Sequence, residues 1–173
     1  MDFILLPLTE ADVPAFKKDM QAAFQAYSAE LPGQYDADMQ ILPEEDIDES
    51  LAADGVEAYK AIVDGQMAGG AVIQPDKEEG RCLLHLLYIR ADMQGRGIGQ
   101  KIIRQLELLH PEVKAWETLT PYFAKRNIHF YINCCGYSAV EFFSDFHKAD
   151  DVPEDMPGGD YFFRFEKSIC SGS

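Results

Sequence analysis

Seven residues, Leu83-Leu84-His85-Leu86-Leu87-Tyr88-Ile89, form an almost wholly apolar run, with Gly80 shortly before it and the charged Arg90-Ala91-Asp92 directly after it. A run this short, without polar alternation, is the pattern of a strand buried on both faces, so it should be a central strand of its sheet. A glycine-punctuated turn follows, Gln94-Gly95-Arg96-Gly97-Ile98-Gly99. Beyond it Ile98, Ile102, Ile103, Leu106 and Leu109 recur at helical spacing until Pro111 stops them. Strand, glycine turn and helix therefore form the centre of the fold, and the rest of the chain has to supply partner strands and covering helices.

The remaining pattern does so. Phe3 to Leu8 reads as a short strand. Asp12 and Pro14 open a helix whose apolar positions are Val13, Phe16, Met20, Ala23 or Phe24, and Tyr27, and Leu31-Pro32-Gly33 breaks it. Asp46 to Ala53 is expected to be a second, short helix. Ala58 to Val63 and Gln66 to Ile73 flank Asp64-Gly65, a signal for an antiparallel hairpin closed by a type I′ turn. Val113 to Leu119 reads as a strand, Asn127 to Cys135 as a short helix closed by Gly136, and Tyr137 to Phe143 and Tyr161 to Lys167 as two last strands around a loop at Pro153 to Gly159. The order βααβββαβαββ over residues 1–173 predicts one mixed α/β domain, without internal repeat or linker.

Charge narrows the partners. The chain has 15 Lys plus Arg against 30 Asp plus Glu, a net charge of −15. Residues 36 to 54 hold eight acids and no base, and residues 141 to 160 hold seven acids and one base, so these segments carry −14 of the −15. An acidic surface repels phosphate backbones and anionic lipid, which argues against nucleic acid and membrane. No apolar run approaches the roughly 18 residues that span a bilayer, and the first residues lack the basic flank of a signal peptide, so a cytoplasmic protein is expected. Cys82, Cys134, Cys135 and Cys170 show no zinc-ligand spacing, so no metal and reduced thiols are expected. Against this background Arg90, Arg96, Lys101 and Arg104 with only Asp92 make a local +3 between residues 90 and 104.

That island surrounds the glycine turn. Glycines between a strand and a helix let successive N–H groups converge on an anion, and the helix dipole adds favourable potential. The spacing G-x-G-x-G is neither a Walker A loop nor the dinucleotide fingerprint. From the glycines alone the turn is equally an ordinary tight connection.

Tyr88-Ile89-Arg90-Ala91-Asp92-Met93 followed by Gln94-Gly95-Arg96-Gly97-Ile98-Gly99 resembles the acyl-CoA-binding motif of the GNAT superfamily, Gln/Arg-x-x-Gly-x-Gly/Ala. Asn127-Ile128-His129-Phe130-Tyr131-Ile132-Asn133-Cys134-Cys135-Gly136-Tyr137 is similar to the family's later Asn-x-x-Phe-Tyr-x-x-x-Gly-Phe segment, with Tyr137 in place of Phe. The element order matches across nearly the whole chain. The resemblance implies a mixed, mostly antiparallel sheet of six or seven strands flanked by about four helices, with two central parallel strands splayed apart. It also implies transfer of an acetyl group from acetyl-CoA, without a metal, to the amine of a small molecule or peptide. Gln94, Gly95, Arg96, Gly97, Ile98 and Gly99 would then hold the pyrophosphate, the strand edge at Leu87, Tyr88 and Ile89 would pair with pantetheine, and Asn127 would support the cofactor arm or else cap a helix. Tyr131 matches the family tyrosine that protonates the departing thiolate; its alternative is packing.

A base must deprotonate the incoming ammonium. Strict alternation puts Leu83, His85, Leu87 and Ile89 on one face of the central strand. Some family members carry a carboxylate on that strand, at a position aligned here with Leu83, which cannot act. His85, two residues on, and Glu117, near the end of the strand Val113 to Leu119, are the candidates. Three further readings stand beside this one. Cys134 or Cys135 with His129 would make a covalent route. A non-catalytic acyl-CoA sensor would share the fold. A phosphoryl or nucleotidyl transferase needs a carboxylate pair near the glycine turn, where only Asp92 stands. A homodimer through an exposed strand edge at Tyr161 to Phe165 is a further expectation, and the two acidic segments point to a cationic acceptor.

Overall fold

The computed structural model describes residues 1–27, 41–122, 124–149 and 161–170. Strand β1 (Phe3–Pro7) leads through a 3₁₀ turn at Glu10–Asp12 into α1 (Val13–Tyr27), and α2 (Glu44–Ala52) precedes β2 (Glu57–Val63), β3 (Gln66–Asp76) and β4 (Arg81–Ile89). Then come α3 (Ile98–Leu109), β5 (Ala115–Pro121), α4 (Lys125–His129) running into a π-helical turn at Phe130–Cys134, β6 (Ser138–Phe143) and β7 (Phe162–Ser168). The Leu31-Pro32-Gly33 break, the loop at Pro153 to Gly159 and the acids of residues 36–40 and 150–160 lie outside the described residues.

The described strands form one seven-stranded sheet in the order β1-β2-β3-β4-β5-β7-β6. Every neighbouring pair is antiparallel except β4 with β5. Asp64 and Gly65 both have positive φ, 49° and 81°, and join Val63 to Gln66, as the two-residue turn at this dipeptide requires. β7 lies inside the sheet between β5 and β6, so Tyr161 to Phe165 is not an edge available to a second subunit; β6 is the edge on that side. The apolar content that suggested an exposed edge instead belongs to a strand paired on both sides.

Helices cover both faces. Phe16 and Met20 of α1 and Ile47 of α2 are fully buried with Val72 and Tyr88 on one face. On the other, Ile98, Ile102 and Leu106 of α3 and Tyr131 pack with Ile73, Leu84, Trp116 and Phe165. The first cluster depends on a close crossing. A Cβ at Gly70 would run into the Phe16 ring and the Tyr59 carbonyl, and the carbonyl belongs to a paired strand that cannot retreat. Gly70→Ala is therefore expected to destabilise the protein by about 1–3 kcal/mol, as overpacking does. Urea unfolding should read this as a lower midpoint at unchanged slope.

Candidate functional site

β4 and β5 pair over only three positions, Arg81 with Ala115, Cys82 with Trp116 and Leu83 with Glu117. The Thr118 hydroxyl then donates to the Leu84 carbonyl at 3.1 Å, a side chain standing where the next ladder bond would be. Beyond it the described strands part, β4 continuing to Ile89 and β5 to Pro121. The Arg90 N–H bonds to the Ala68 carbonyl at 2.8 Å on the β3 side. Alternation therefore turns the main-chain groups of Tyr88 toward β3 and those of Leu87 and Ile89 toward the gap. Ile89 already lends its carbonyl to the Gln94 amide at 3.2 Å, which leaves Leu87 as the strand's full donor and acceptor pair facing the gap. Tyr88 departs from the expected cofactor set in its side chain. The ring is 3% exposed against Phe16, 5.3 Å between centroids, on the α1 face.

The glycine turn opens at the same end of β4. Gly95 and Gly97 have φ of 79° and 77°, a conformation that disfavours side chains, and Gly97 is the N-cap of α3 with no side chain capping the helix. The exposed turn thus presents the free amides and positive dipole end of a twelve-residue helix. Gly99 has a steric cause besides the expected phosphate approach. It is buried, and a Cβ there would stand 2.9 Å from atoms of the Phe130 ring, so it lets α3 and α4 meet. Ile98 is likewise buried, and its contribution toward a ligand is main-chain only. Sequence reading passed over Arg126, which reaches back from α4 and donates to the Gln94 side chain at 3.1 Å. Arg96 is exposed on the turn, whereas the Lys101 ammonium lies 5.9 Å from the centre of the Phe3 ring.

α4 starts at Lys125 with Ala124 as N-cap, so Asn127 is an exposed residue within the first turn rather than a cap. The helix then widens, and the Cys135 N–H reaches the Phe130 carbonyl five residues back at 3.0 Å. Tyr131 sits inside this wide turn, 8% exposed, with its ring against Phe130, Tyr137 and Phe165 at 5.1, 5.3 and 6.0 Å. Its phenol interacts with Thr118, the residue at which β5 leaves β4. Burial pushes its acidity well away from neutrality, so the phenol keeps its proton. On the outer side of the turn Cys134 Sγ lies 3.7 Å from His129 Nε2, and both side chains are exposed.

The two base candidates separate. β3 and β4 are out of register at one point, Val72 facing Leu86 and Ile73 facing Leu84, so His85 is a bulged residue without a partner on β3. The bulge reverses the alternation. Leu87 and Ile89 share the α3 face with Cys82 and Leu84, while Leu86 lies on the α1 face. The expectation that Leu83, His85, Leu87 and Ile89 share one face is thus corrected, because strict alternation does not survive an inserted residue. His85 is half-buried, hydrogen-bonded through Nε2 to Gln74 at 2.7 Å, and burial lowers its pKa, favouring the neutral ring. Glu117 is held by arginines instead, at 3.2 Å from Arg81 and 3.6 Å from Arg164. Those arginines also bind Glu166, at 2.7 and 3.1 Å, and Arg164 binds Glu141 at 2.8 Å. Glu117 is one node of a network joining β4, β5, β7 and β6.

Among the described residues no helix is long and apolar enough to cross a membrane, and no group of three or more His, Cys, Asp or Glu is arranged to hold a metal ion. All four cysteines are free thiols.

The family profile described as an acetyltransferase (GNAT) domain matches residues 54–138, the stretch from the turn after α2 to the start of β6. The Bacillus subtilis (strain 168) protein YrkN is 36% identical over 167 residues, covering 91% of this chain and 89% of that protein. Among solved structures, the ribosomal-protein-S18-alanine N-acetyltransferase of Escherichia coli superposes with a TM-score of 0.70 at 16% identity, over 99% of this chain and 97% of that one. An acetyl-CoA-bound GNAT family acetyltransferase of Elizabethkingia anophelis gives 0.64 at 16% identity, over 96% and 98%. The PaiA N-acetyltransferase of Thermoplasma acidophilum, in complex with coenzyme A, gives 0.69 at 12%, over 98% and 100%. The chain belongs to the GNAT superfamily of acetyltransferases, and its mixed seven-stranded sheet with parting parallel strands is that family's fold.

The ion network makes stability at this site depend on acid. The hydrogen bond from Arg81 holds the Glu166 carboxyl below its ordinary value, so its contribution is complete above the unfolded-state value of about 4.3 and disappears as pH falls through the lower folded-state value. The urea midpoint should therefore drop between pH 6 and pH 3. Glu166→Gln should lose up to about 1 kcal/mol near neutrality and show a shallower drop. Parallel curves for the two proteins would place the acid sensitivity elsewhere.

Proposed function

We propose that this protein is an N-acetyltransferase that moves the acetyl group of acetyl-CoA directly to a primary amine of a small molecule or peptide. The observation that carries the reading is the parting of β4 from β5 with Tyr131 buried at its root. The gap offers the Leu87 N–H and C=O as a strand edge to which the amide-bearing pantetheine arm can add. The Gln94–Gly99 turn offers amides and a helix terminus to the pyrophosphate, with Arg96 exposed beside it and Arg126 holding Gln94. Exposed Asn127 lies on the same helix as Arg126 and is assigned to support the arm. The binding of coenzyme A and acetyl-CoA by the Thermoplasma and Elizabethkingia proteins supports this assignment.

The chemistry follows from the groups present. The amine lone pair attacks the thioester carbonyl carbon, the carbon–sulfur bond breaks, and the thiolate takes a proton from the Tyr131 phenol. A phenol kept protonated by burial is available for that donation at any ordinary pH. The amine must first lose its own extra proton. We assign this to His85, whose neutral ring can accept it, in preference to Glu117, whose carboxylate is already engaged by two arginines.

The acceptor is assigned as cationic. α2 carries Glu44, Glu45, Asp46, Asp48 and Glu49 and no Lys or Arg of its own, and Lys17 of α1 pairs with Glu44 at 2.6 Å and Asp48 at 2.7 Å. An acidic rim concentrates an ammonium before contact.

Tyr131→Phe keeps the ring and removes the donor. With a panel of primary amines that includes spermidine, an amino-acid amide and a peptide with a free N-terminus, kcat should fall about 100-fold at unchanged acetyl-CoA affinity. An unchanged kcat with chemistry rate-limiting reduces Tyr131 to packing. Acetyl-CoA binding with no amine acetylated makes the protein a sensor. Across the same panel, kcat/KM for the preferred cation should decline as the Debye length shrinks from about 30 to about 8 Å. A neutral or anionic preference without salt dependence makes the acidic segments mere solvated surface.

A further inference from the structure

The bulge at His85 frees its side chain from the regular pleat, yet the ring does not hang free. Gln74 of β3 reaches it from one side, and the same Gln74 is tied on its other side to the turn that follows α2. Its Nε2 donates to the Asp54 main-chain carbonyl at 2.8 Å, and its Oε1 lies 2.7 Å from His85 Nε2. A carbonyl oxygen can only accept. Asp54 therefore fixes which end of the Gln74 amide is nitrogen, and the other end, facing His85, must be oxygen. That oxygen also only accepts, so His85 Nε2 must carry a hydrogen, and in the neutral ring Nδ1 is left with the lone pair.

Resting on the reading of His85 as the base, we propose that Gln74 is its positioning residue: anchored by the Asp54 carbonyl, it holds the imidazole in the single tautomer whose Nδ1 takes the acceptor's proton. The step balances simply. An N–H bond of the acceptor ammonium breaks and an Nδ1–H bond forms, giving an imidazolium whose Nε2–H remains bonded to Gln74 Oε1. The freed lone pair attacks the thioester carbon, and the imidazolium passes its proton to water. Without Gln74 a ring on a bulge would divide its time between two tautomers and several rotamers, and only part of that population would be competent.

The surroundings are mixed in charge. Beside Gln74, rather than around His85 itself, Asp54 from the turn after α2, Asp76 and Lys77 at the end of β3, Arg81 on β4 and Glu117 on β5 line a hollow of about 430 Å³ together with Leu83. Arg164 and Glu166 of β7 stand behind Glu117, and Asp19 of α1 faces Tyr88 farther along β4. Asp54 enters the relay through its main-chain carbonyl, so the tautomer does not depend on the protonation of its side chain.

The test needs no acceptor for its first readout. Long-range proton–nitrogen correlation spectra of the full chain labelled with ¹⁵N-histidine, with the His85 signals assigned by loss in His85→Ala, should show hydrogen on Nε2 and none on Nδ1 in the neutral ring. Gln74→Leu should convert this to a mixed pattern and lower kcat on the order of 10-fold, with KM for acetyl-CoA unchanged. Gln74→Glu keeps an oxygen to accept Nε2–H, gives up the donor to the Asp54 carbonyl and adds negative charge. It should retain the tautomer, favour the imidazolium and move the acidic limb of kcat to higher pH. Hydrogen on Nδ1 in the wild type, or an unchanged tautomer and kcat in Gln74→Leu, overturns the proposal. If kcat survives in His85→Ala, it is the base reading that fails, and the two failures are distinguishable because the spectrum is recorded without turnover.

Discussion

Three residue pairs hold β4 to β5, and the opening at the candidate site follows from their being only three. Had the parallel ladder continued, the Leu87 main chain would be spent on β5 and the sheet would be closed. Instead the Thr118 side chain satisfies the Leu84 carbonyl and ends the pairing with no buried acceptor left over at that point. Tyr131 then occupies the root of the opening, positioned by a π-helical turn that widens α4 just where its phenol meets Thr118.

The opening does not unravel the sheet because other interactions take over the joining of its halves. On one face α3 and α4 meet across Gly99 and Phe130 and pack against both β4 and β5 residues, from Leu84 to Trp116. On the other, Arg81 reaches from β4 to Glu117 on β5 and Glu166 on β7, and Arg164 carries the chain of charges on to Glu141 on β6. Surface ion pairs taken singly contribute little, but these are partly buried and share partners, the circumstance in which they matter. The same face carries the Gln74–His85 pair. The face under α3 and α4 is thus joined by apolar packing, and the face under α1 and α2 also carries the polar groups.

Much of this was legible in advance. The apolar run of β4, the glycine turn and the hairpin at Asp64-Gly65 were readable because each rests on local rules: burial without alternation, positive φ, and turn chemistry. The motif singled out Tyr131, which the fold buries beside Thr118. The errors share a cause as well. Assigning His85, Leu87 and Ile89 to one face assumed a regular pleat, and one inserted residue at the bulge reversed it. The packing role of Gly99 was hidden because the Phe130 ring it meets comes from more than thirty residues away. Reading the apolar Tyr161 to Phe165 stretch as an edge overlooked its pairing with β5 on one side and β6 on the other.

The sequence by itself determined the class of fold, the strand–turn–helix unit at its centre and the residue types available for acid and base chemistry, because periodicity, glycine conformation and side-chain chemistry are properties of short segments. Tertiary structure decided which of those residues act together. Glu117 became a structural ion-pair node and His85 a tethered imidazole only when Arg164 of β7 and Gln74 of β3 were brought beside them. A hydrogen bond between strands carries no signature in either strand alone, since its existence depends on register, and a single bulge changes the register.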